Sequence, residues 1–191
     1  LRRVNINRVT KECEIKVDLN IDGKGNNNIN TGIKFLDHLI DSLAKHAMFD
    51  LNIIAISKDN IIHHLIEDTA IALANAIDQA LNDRRGIARF GYSIIPMDEA
   101  LARTSIDLVR RSYYKLDINI IRDNIEGIAK EDIIHFLESF LKNLNACIHI
   151  IVEYGDNDHH KLEAAIKSFA IAFKNAKEIY SSDIPSTKGV M

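Results

Sequence analysis

The sequence predicts an α+β fold assembled as a tandem duplication of two similar half-domains, each a sheet covered on one face by helices. Three observations carry that prediction. Two adjacent histidines followed by a glutamate occur twice, as His63-His64-x-x-Glu67 and His159-His160-x-x-Glu163. The stretch "HLIDSLAKHAMFDLNI" from His38 aligns without gaps on "HFLESFLKNLNACIHI" from His135, matching Asp41 to Glu138, Ser42 to Ser139 and Lys45 to Lys142. The copies lie 97 positions apart for the long stretch (38 to 135) and 96 for the histidine pairs (63 to 159), about half of the 191 residues. Finally, strand-like and helix-like segments follow one another in the same order in both halves.

The elements read as follows. "CEIKVDLNI" alternates apolar and polar residues, as a half-buried strand does, and "DGKGNNN" after it is a turn. "FLDHLIDSLAKH" has helical spacing and "FDLNIIAI" reads as a strand. A longer helix from about Ile62 to Leu81 carries Leu65, Ala72, Leu73, Ala76 and Ala80 along one face. The second half repeats the order. Strands are expected near Ser93–Met97, Leu101–Val109 and Tyr114–Ile120, a helix from about Glu131, the strand "CIHIIVEY", and a helix from about His159 to Glu178 with Asp158 as its N-cap. The boundaries fall at 1–90 for the first repeat, 91–180 for the second, and 181–191 for a polar, turn-rich tail whose simplest reading is a frayed end.

Composition narrows the function classes. The apolar fraction of 47% suffices for a core, and a charged fraction of 27% suits a soluble surface. A net charge of −3 gives no electrostatic case for nucleic acid or an anionic membrane. No apolar run approaches a membrane span, and "LRRVNINRV" lacks a signal peptide's apolar stretch. The missing initiator methionine hints at a trimmed chain or a piece of a longer protein. Cys13 and Cys147 sit in strand-like runs, where buried free thiols are expected, and two cysteines make no disulfide framework. A reducing, cytoplasmic setting follows as the expectation.

The histidines carry the chemistry. Residues i and i+4 share a helix face, so His63 and Glu67 can grip one ion from one turn. Adjacent residues diverge by about 100° around the axis, so His63 and His64 point apart and suit two different metals. A lone helical histidine is usually solvated or hydrogen-bonded. Two such pairs at chelating spacing, with His38 and His135 at equivalent positions, put metal binding well ahead of that reading. If a pseudo-twofold relates the halves, equivalent ligands exchange between equivalent sites. One partition that obeys this gives His38, His64, His159 and Glu163 to one ion, and His63, Glu67, His135 and His160 to the other. The contributors could belong to one chain or to neighbours in an oligomer. The absence of thiolates argues against a closed structural zinc site, and mixed N/O ligation suits Mn, Fe, Co or Zn. His46 faces substrate, supports a ligand, or is structural. His149 lies between Ile148 and Ile150 in a strand and reads as an exposed structural residue.

Anion-binding candidates are Arg84, Arg85 and Arg89 in "DRRGIARFG", Arg110 and Arg111 in "LVRRSYY", and Ser186, Thr187 and Lys188 in "STKG". Most basic residues on a surface are simply solvated, so each is a weak signal alone.

"INTGIKFLDHLID", "HHLIED", "DRRGIARFG", "PMDEALAR", "NDHHKLEAAIKSFA" and "IPSTKGV" together resemble the imidazoleglycerol-phosphate dehydratase family, in the right order along nearly the whole chain. The resemblance implies an oligomer of 24 subunits, with active sites at subunit interfaces and two Mn²⁺ per active site. It implies removal of water from D-erythro-imidazole glycerol phosphate to give imidazole acetol phosphate, in histidine biosynthesis. It implies the same partition of eight ligands. Glu12 in "RVTKECEI" becomes an acid/base residue facing the substrate. Arg89, Arg111, Lys167, Ser186 and Lys188 become substrate-binding positions, chiefly for phosphate, with His46 and Thr187 counted beside them. Departures stand out. Ile61 and Ile62 occupy places where the family often has aspartates, so a carboxylate holding His63 or His64 is either missing or supplied from elsewhere. Leu65 stands where threonine is usual, Arg110-Arg111-Ser112 replaces Gly-Arg-Pro, and Ala47 replaces the common glycine. Two alternatives are a two-metal phosphohydrolase, for which no Asp cluster stands out, and a metal-storage assembly, which needs neither Glu12, Arg89 nor Lys188.

Overall fold

The structure, a computed structural model, describes residues 2–189. The elements in chain order are β1 (Arg3–Val9), β2 (Cys13–Asn20), β3 (Asn27–Asn30), α1 (Lys34–His46), β4 (Asp50–Ser57) and α2 (Ile62–Leu81). Then come β5 (Phe90–Met97), β6 (Ala100–Asp107), β7 (Tyr113–Asp117), β8 (Asn124–Ile125), β9 (Ile128–Ala129), α3 (Lys130–Asn143), β10 (Cys147–Tyr154) and α4 (Asp158–Ala176). Two four-stranded sheets share one topology, β1-β2-β4-β3 and β5-β6-β10-β7. In each, two antiparallel pairings are followed by one parallel pairing at the far edge. The expected duplicated α+β architecture is the observed one.

The chain divides into two compact units, residues 1–80 with 122–144, and 81–121 with 145–191. The segment 122–144 carries β8, β9 and α3. It belongs to the first unit although it lies in the second half of the sequence.

In the first unit, alternation on β2 buries Cys13, Ile15, Val17 and Leu19, and on β4 Leu51, Ile53 and Ala55. The register sets Ile15 against Ala55, Val17 against Ile53 and Leu19 against Leu51, so the buried side chains pair across the strands. Helix α1 buries Leu36, Leu39, Ile40, Leu43 and Ala44, a stripe at helical spacing. Its start is tied down by Asp37, which accepts from the backbone N–H (2.8 Å) and hydroxyl (2.6 Å) of the buried Thr31. It ends in a Schellman turn. Phe49 N–H returns to Ala44 O, Met48 N–H to Lys45 O, and Met48 takes the left-handed conformation at φ 58°. Ala47 keeps a right-handed φ of −77°, so this turn has no need of glycine there.

Helix α2 is apolar nearly all round, with Leu65, Ile66, Ala70, Ala72, Leu73, Ala74, Ala76 and Ile77 buried. Asp68 on it is also buried, at 5% exposure. Its carboxylate is matched by the Arg8 guanidinium (2.8 Å) and the Thr10 hydroxyl (3.0 Å), both from the end of β1. A buried charge persists only when paired in this way. The pairing anchors the first turns of α2 beside the β1–β2 turn that carries Glu12.

In the second unit, α4 packs across β5, β6 and β10. A Cβ on Gly91 of β5 would lie 2.0 Å from Ala172 O, so strand and helix backbones touch there. The buried hydroxyls are shared: Ser168 and Thr104 lie 2.7 Å apart, and Ser93 donates to Ser168 O at 2.6 Å. The start of α4 differs from expectation. Asn157 is the N-cap, accepting from His159 N–H at 2.9 Å. Asp158 is the first helical residue, 1% exposed, bound to the equally buried Lys161 ammonium (2.8 Å) and to Ile121 N–H (3.1 Å). An amide caps as well as a carboxylate, whereas only the carboxylate can neutralise a buried lysine.

Sequence reading missed β1, β3 and the β8–β9 ribbon. Polar residues on both flanks blur their alternation. Both cysteines are free, and burial pushes the Cys13 thiol up to about 11, which makes it inert. Among the described residues no helix is long and apolar enough to cross a membrane.

Lys161 sets the start of the helix bearing the second histidine pair. Lys161→Met strips the cation from a buried carboxylate and is expected to cost about 3 kcal/mol of stability, read from the urea midpoint. A midpoint unchanged from the parent chain would show that Asp158 does not depend on this lysine.

Candidate functional site

The first turns of α2 place His63 and Glu67 on one face, and α3 brings His135 to them. The His63 and His135 rings stack with centroids 4.5 Å apart, and His135 Nε2 lies 3.3 Å from Glu67 Oε1. One donor atom from each of the three lies within 4.8 Å of the others. Two imidazoles and one carboxylate, with no thiolate, form a donor set that fits a divalent transition metal. These are three of the four members of one expected ligand set.

His64 turns away, as helix geometry requires. Its ring makes a 70° angle with that of His63, with centroids 6.3 Å apart. It enters a second group with Asp59 and Glu12, again with donor atoms within 4.8 Å. Asp59 Oδ2 lies 2.7 Å from His64 Nδ1, and Glu12 Oε1 lies 3.8 Å from it. Bonding to Asp59 raises the His64 pKa, with smaller contributions from the Glu12 and Glu67 charges, and the same bond lowers that of Asp59. Ile61 and Ile62 are exposed. The carboxylates missing from their positions come from elsewhere: Asp59 meets His64, and Asp132 of α3 meets His63 Nδ1 at 2.6 Å.

The second unit repeats the divergence. The His159 and His160 rings lie at 84°, with centroids 6.1 Å apart. His159 Nε2 is 3.0 Å from Glu163 Oε1, the i,i+4 pair expected. Glu163 is buried, and its other oxygen is 2.5 Å from Lys167 Nζ. Lys167 is thus drawn to a candidate metal ligand, and its ammonium also lies 3.4 Å from Met97 Sδ. His160 Nδ1 is 2.7 Å from Glu99 Oε2. Glu99 also receives the N–H groups of Asp156 and Asn157, and the bonds from His160 and then Asn157 hold its carboxyl down at about 2. His160 is raised in turn, chiefly by Glu99. Sequence reading passed over Glu99. The signal was available, because Glu99 precedes β6 as Glu12 precedes β2.

The arginine loop and the tail meet within the second unit. Arg89, at φ 71°, forks onto Asp107 (2.7 and 3.0 Å) and donates to Pro185 O at 2.9 Å. Gly86 N–H donates to Asp183 O, and a Cβ on Gly86 would lie 2.0 Å from Ser181 O. The tail is therefore bonded in place up to Pro185, and beyond it Ser186 Oγ accepts from Lys188 N–H. It is not the frayed end its composition suggested. Thr187 and Lys188 are exposed. Arg111 is exposed on the β6–β7 loop. Arg84, by contrast, is 1% exposed and donates to Leu108 O and Asn145 O, which removes it from the anion-binding candidates. Arg110 donates to Asn82 O.

The remaining histidines are placed simply. His38 is exposed on α1 beside Phe35, and His46 is half-buried at the end of that helix. His149 is half-buried rather than exposed, packed on Tyr113 with centroids 5.5 Å apart.

Comparison with known proteins gives one answer. The family model described as imidazoleglycerol-phosphate dehydratase matches residues 31–173. An imidazoleglycerol-phosphate dehydratase of Methanosarcina mazei is 45% identical over 194 residues, covering 100% of both chains. That of Chloroherpeton thalassium is 44% identical over 191 residues, covering 100% of this chain and 98% of the relative. The crystal structure of the Staphylococcus aureus enzyme superposes with a TM-score of 0.84 at 28% identity, covering 93% of this chain and 99% of that one. The Pyrococcus furiosus structure gives 0.83 at 36% identity, covering 97% and 100%.

The Glu99–His160 contact has a measurable signature. In metal-free protein His160 is expected to titrate above the ordinary 6.5, because its protonated form is the one Glu99 stabilises. The pair's contribution is full below that ordinary value and fades as pH rises through the raised one. On the acid side it is lost only as pH falls toward about 2, where Glu99 protonates. Glu99→Gln should return His160 toward 6.5 in ¹⁵N-histidine spectra; an unmoved titration would mean that Glu99 does not set it.

Proposed function

Because this chain belongs to the imidazoleglycerol-phosphate dehydratase family, hydro-lyases of histidine biosynthesis, we propose that it is metal-dependent and removes water from D-erythro-imidazole glycerol phosphate to give imidazole acetol phosphate. The observation that carries the metal dependence is the His63–Glu67–His135 convergence in one unit. Two Mn²⁺ per active site is the occupancy we infer. The ligand sets are His38, His64, His159 and Glu163 for one ion, and His63, Glu67, His135 and His160 for the other. The first unit supplies three donors of the second set, and a neighbouring copy supplies the fourth. That arrangement requires a homo-oligomer with sites at interfaces, of 24 subunits in our reading, working in the cytoplasm. The repeats 1–90 and 91–180 are the duplicated ancestral units in this reading, and 181–191 is the substrate-binding tail.

Bound in these sites, divalent cations would supply Lewis-acid polarisation of the substrate's imidazole ring. The protein's side chains handle the remaining protons and hold the geometry. The C2 proton is not acidic and hydroxide is a poor leaving group, so both need a positioned acid/base group. Glu12 is exposed on the β1–β2 turn, fixed by its own N–H on Thr10 Oγ1 and by Lys58 N–H on its carbonyl. Its carboxylate takes up a proton at Oε and returns it as water forms. Arg111, Ser186, Thr187 and Lys188 receive the phosphate. Arg89 acts on it from beside the tail it holds in place, and Lys167 and His46 complete the substrate-facing set. Fixing the phosphate turns binding into orientation of the reacting carbons.

The test is direct. Purified protein with Mn²⁺ and imidazole glycerol phosphate should give keto product without inorganic phosphate. Phosphate alone would make it a hydrolase, and neither product would leave a metal-storage assembly or an inactive homologue. Glu12→Gln should keep its metals and lose turnover by about 100-fold or more, measured as kcat. Unchanged turnover would remove Glu12 from the mechanism.

A further inference from the structure

A metal-ligating imidazole has two ring nitrogens, and the group bonded to one decides whether the other carries the lone pair. Both imidazoles at the start of α2 have Nδ1 on a carboxylate, and the two carboxylates come from different segments. His63 Nδ1 lies 2.6 Å from Asp132 Oδ1, and His64 Nδ1 lies 2.7 Å from Asp59 Oδ2. An anionic carboxylate only accepts, so Nδ1 must be the N–H, and in the neutral ring Nε2 is left with the free lone pair. Asp132 is partly buried, and Asp59 is held within its own turn. The Asp132 side chain is 15% exposed in the first turn of α3, next to the buried Ile133 and three residues before His135. Asp59 Oδ1 accepts from Ile61 N–H (2.9 Å) and Ser57 Oγ (3.2 Å), which locks the turn and turns Oδ2 toward His64.

We propose that Asp59 and Asp132 are positioning residues that fix the tautomer and direction of His64 and His63, so that each presents Nε2 to a divalent cation. The proposal rests on the metal-centre reading given under Proposed function. Neither residue touches substrate or metal. Both act through the histidine they hold. Asp132 lies on the same helix as His135, so one helix delivers a ligand and orients that ligand's neighbour. Asp59 has a second, structural duty in its turn, and the substitution must separate the two. Asp59→Asn keeps an oxygen for Ile61 N–H and removes the anionic partner of Nδ1. Asp132→Asn does the same for His63.

The experiment compares the full chain with Asp59→Asn and Asp132→Asn in two measurements. The first is Mn²⁺ affinity of chelator-treated protein by calorimetry. Each substitution should weaken it by about 10- to 100-fold, with the metal-free melting temperature close to that of the parent. The second is ¹⁵N magic-angle-spinning spectra of histidine-labelled, metal-free protein at a pH where the imidazoles are neutral. The parent should show the Nδ1-protonated tautomer for His63 and His64, and each substitution should shift one of them toward the Nε2-protonated form. Equal Mn²⁺ affinity in all three proteins, with the parent binding, would overturn the proposal and leave the metal-centre reading intact. A parent that takes up no Mn²⁺ would sink the metal-centre reading, and the tautomer spectra would then decide the role of the two carboxylates alone.

Discussion

Neighbouring side chains on an α-helix leave the axis about 100° apart, and both histidine-pair helices are organised by that divergence. Ring angles of 70° and 84° within the pairs mean that neither pair can close on a single ion. The two rings of each pair face different directions. The i+4 glutamate follows only one of them: Glu67 joins the His63 side, and Glu163 joins His159. A duplicated helix of this kind presents diverging donors twice from one short motif.

Divergence alone would leave the imidazoles free to spin about their bonds. Carboxylates remove that freedom. Asp132, Asp59 and Glu99 each hold one Nδ1 at 2.6–2.7 Å. Behind them sits a further layer of buried charge. Asp68 with Arg8 and Thr10 fastens α2, while Asp158 with Lys161 fastens α4. These pairs cost desolvation and return little net stability, but they fix helix starts to specific strands and loops. The sites sit where those starts are pinned. The tail is held through its backbone, whose carbonyls accept from the Gly86 N–H and from the Arg89 guanidinium.

Much of the fold was legible because its periodicities are strong. Helix α2 was bounded correctly from its apolar face, and the two long inner strands of each sheet announced themselves by alternation. The repeat offset pointed to two equivalent sheets before any contact was known. Edge strands such as β1 and β3 were not legible. Asn and Arg dilute their pattern, and β3 pairs only with β4, beyond the intervening helix.

The sequence by itself determined which donors exist and how each helix must splay them, because helical spacing is a local property that every HHxxE segment carries with it. Only tertiary structure decided which carboxylate meets which histidine. Asp132 lies 69 positions from His63, and Glu99 lies 61 from His160. It likewise buried Lys161 and Arg84, the latter an anion-binding candidate by sequence, and bonded a tail whose composition suggested fraying. Contacts of that range follow from how strands and helices stack. No spacing within a short segment encodes them.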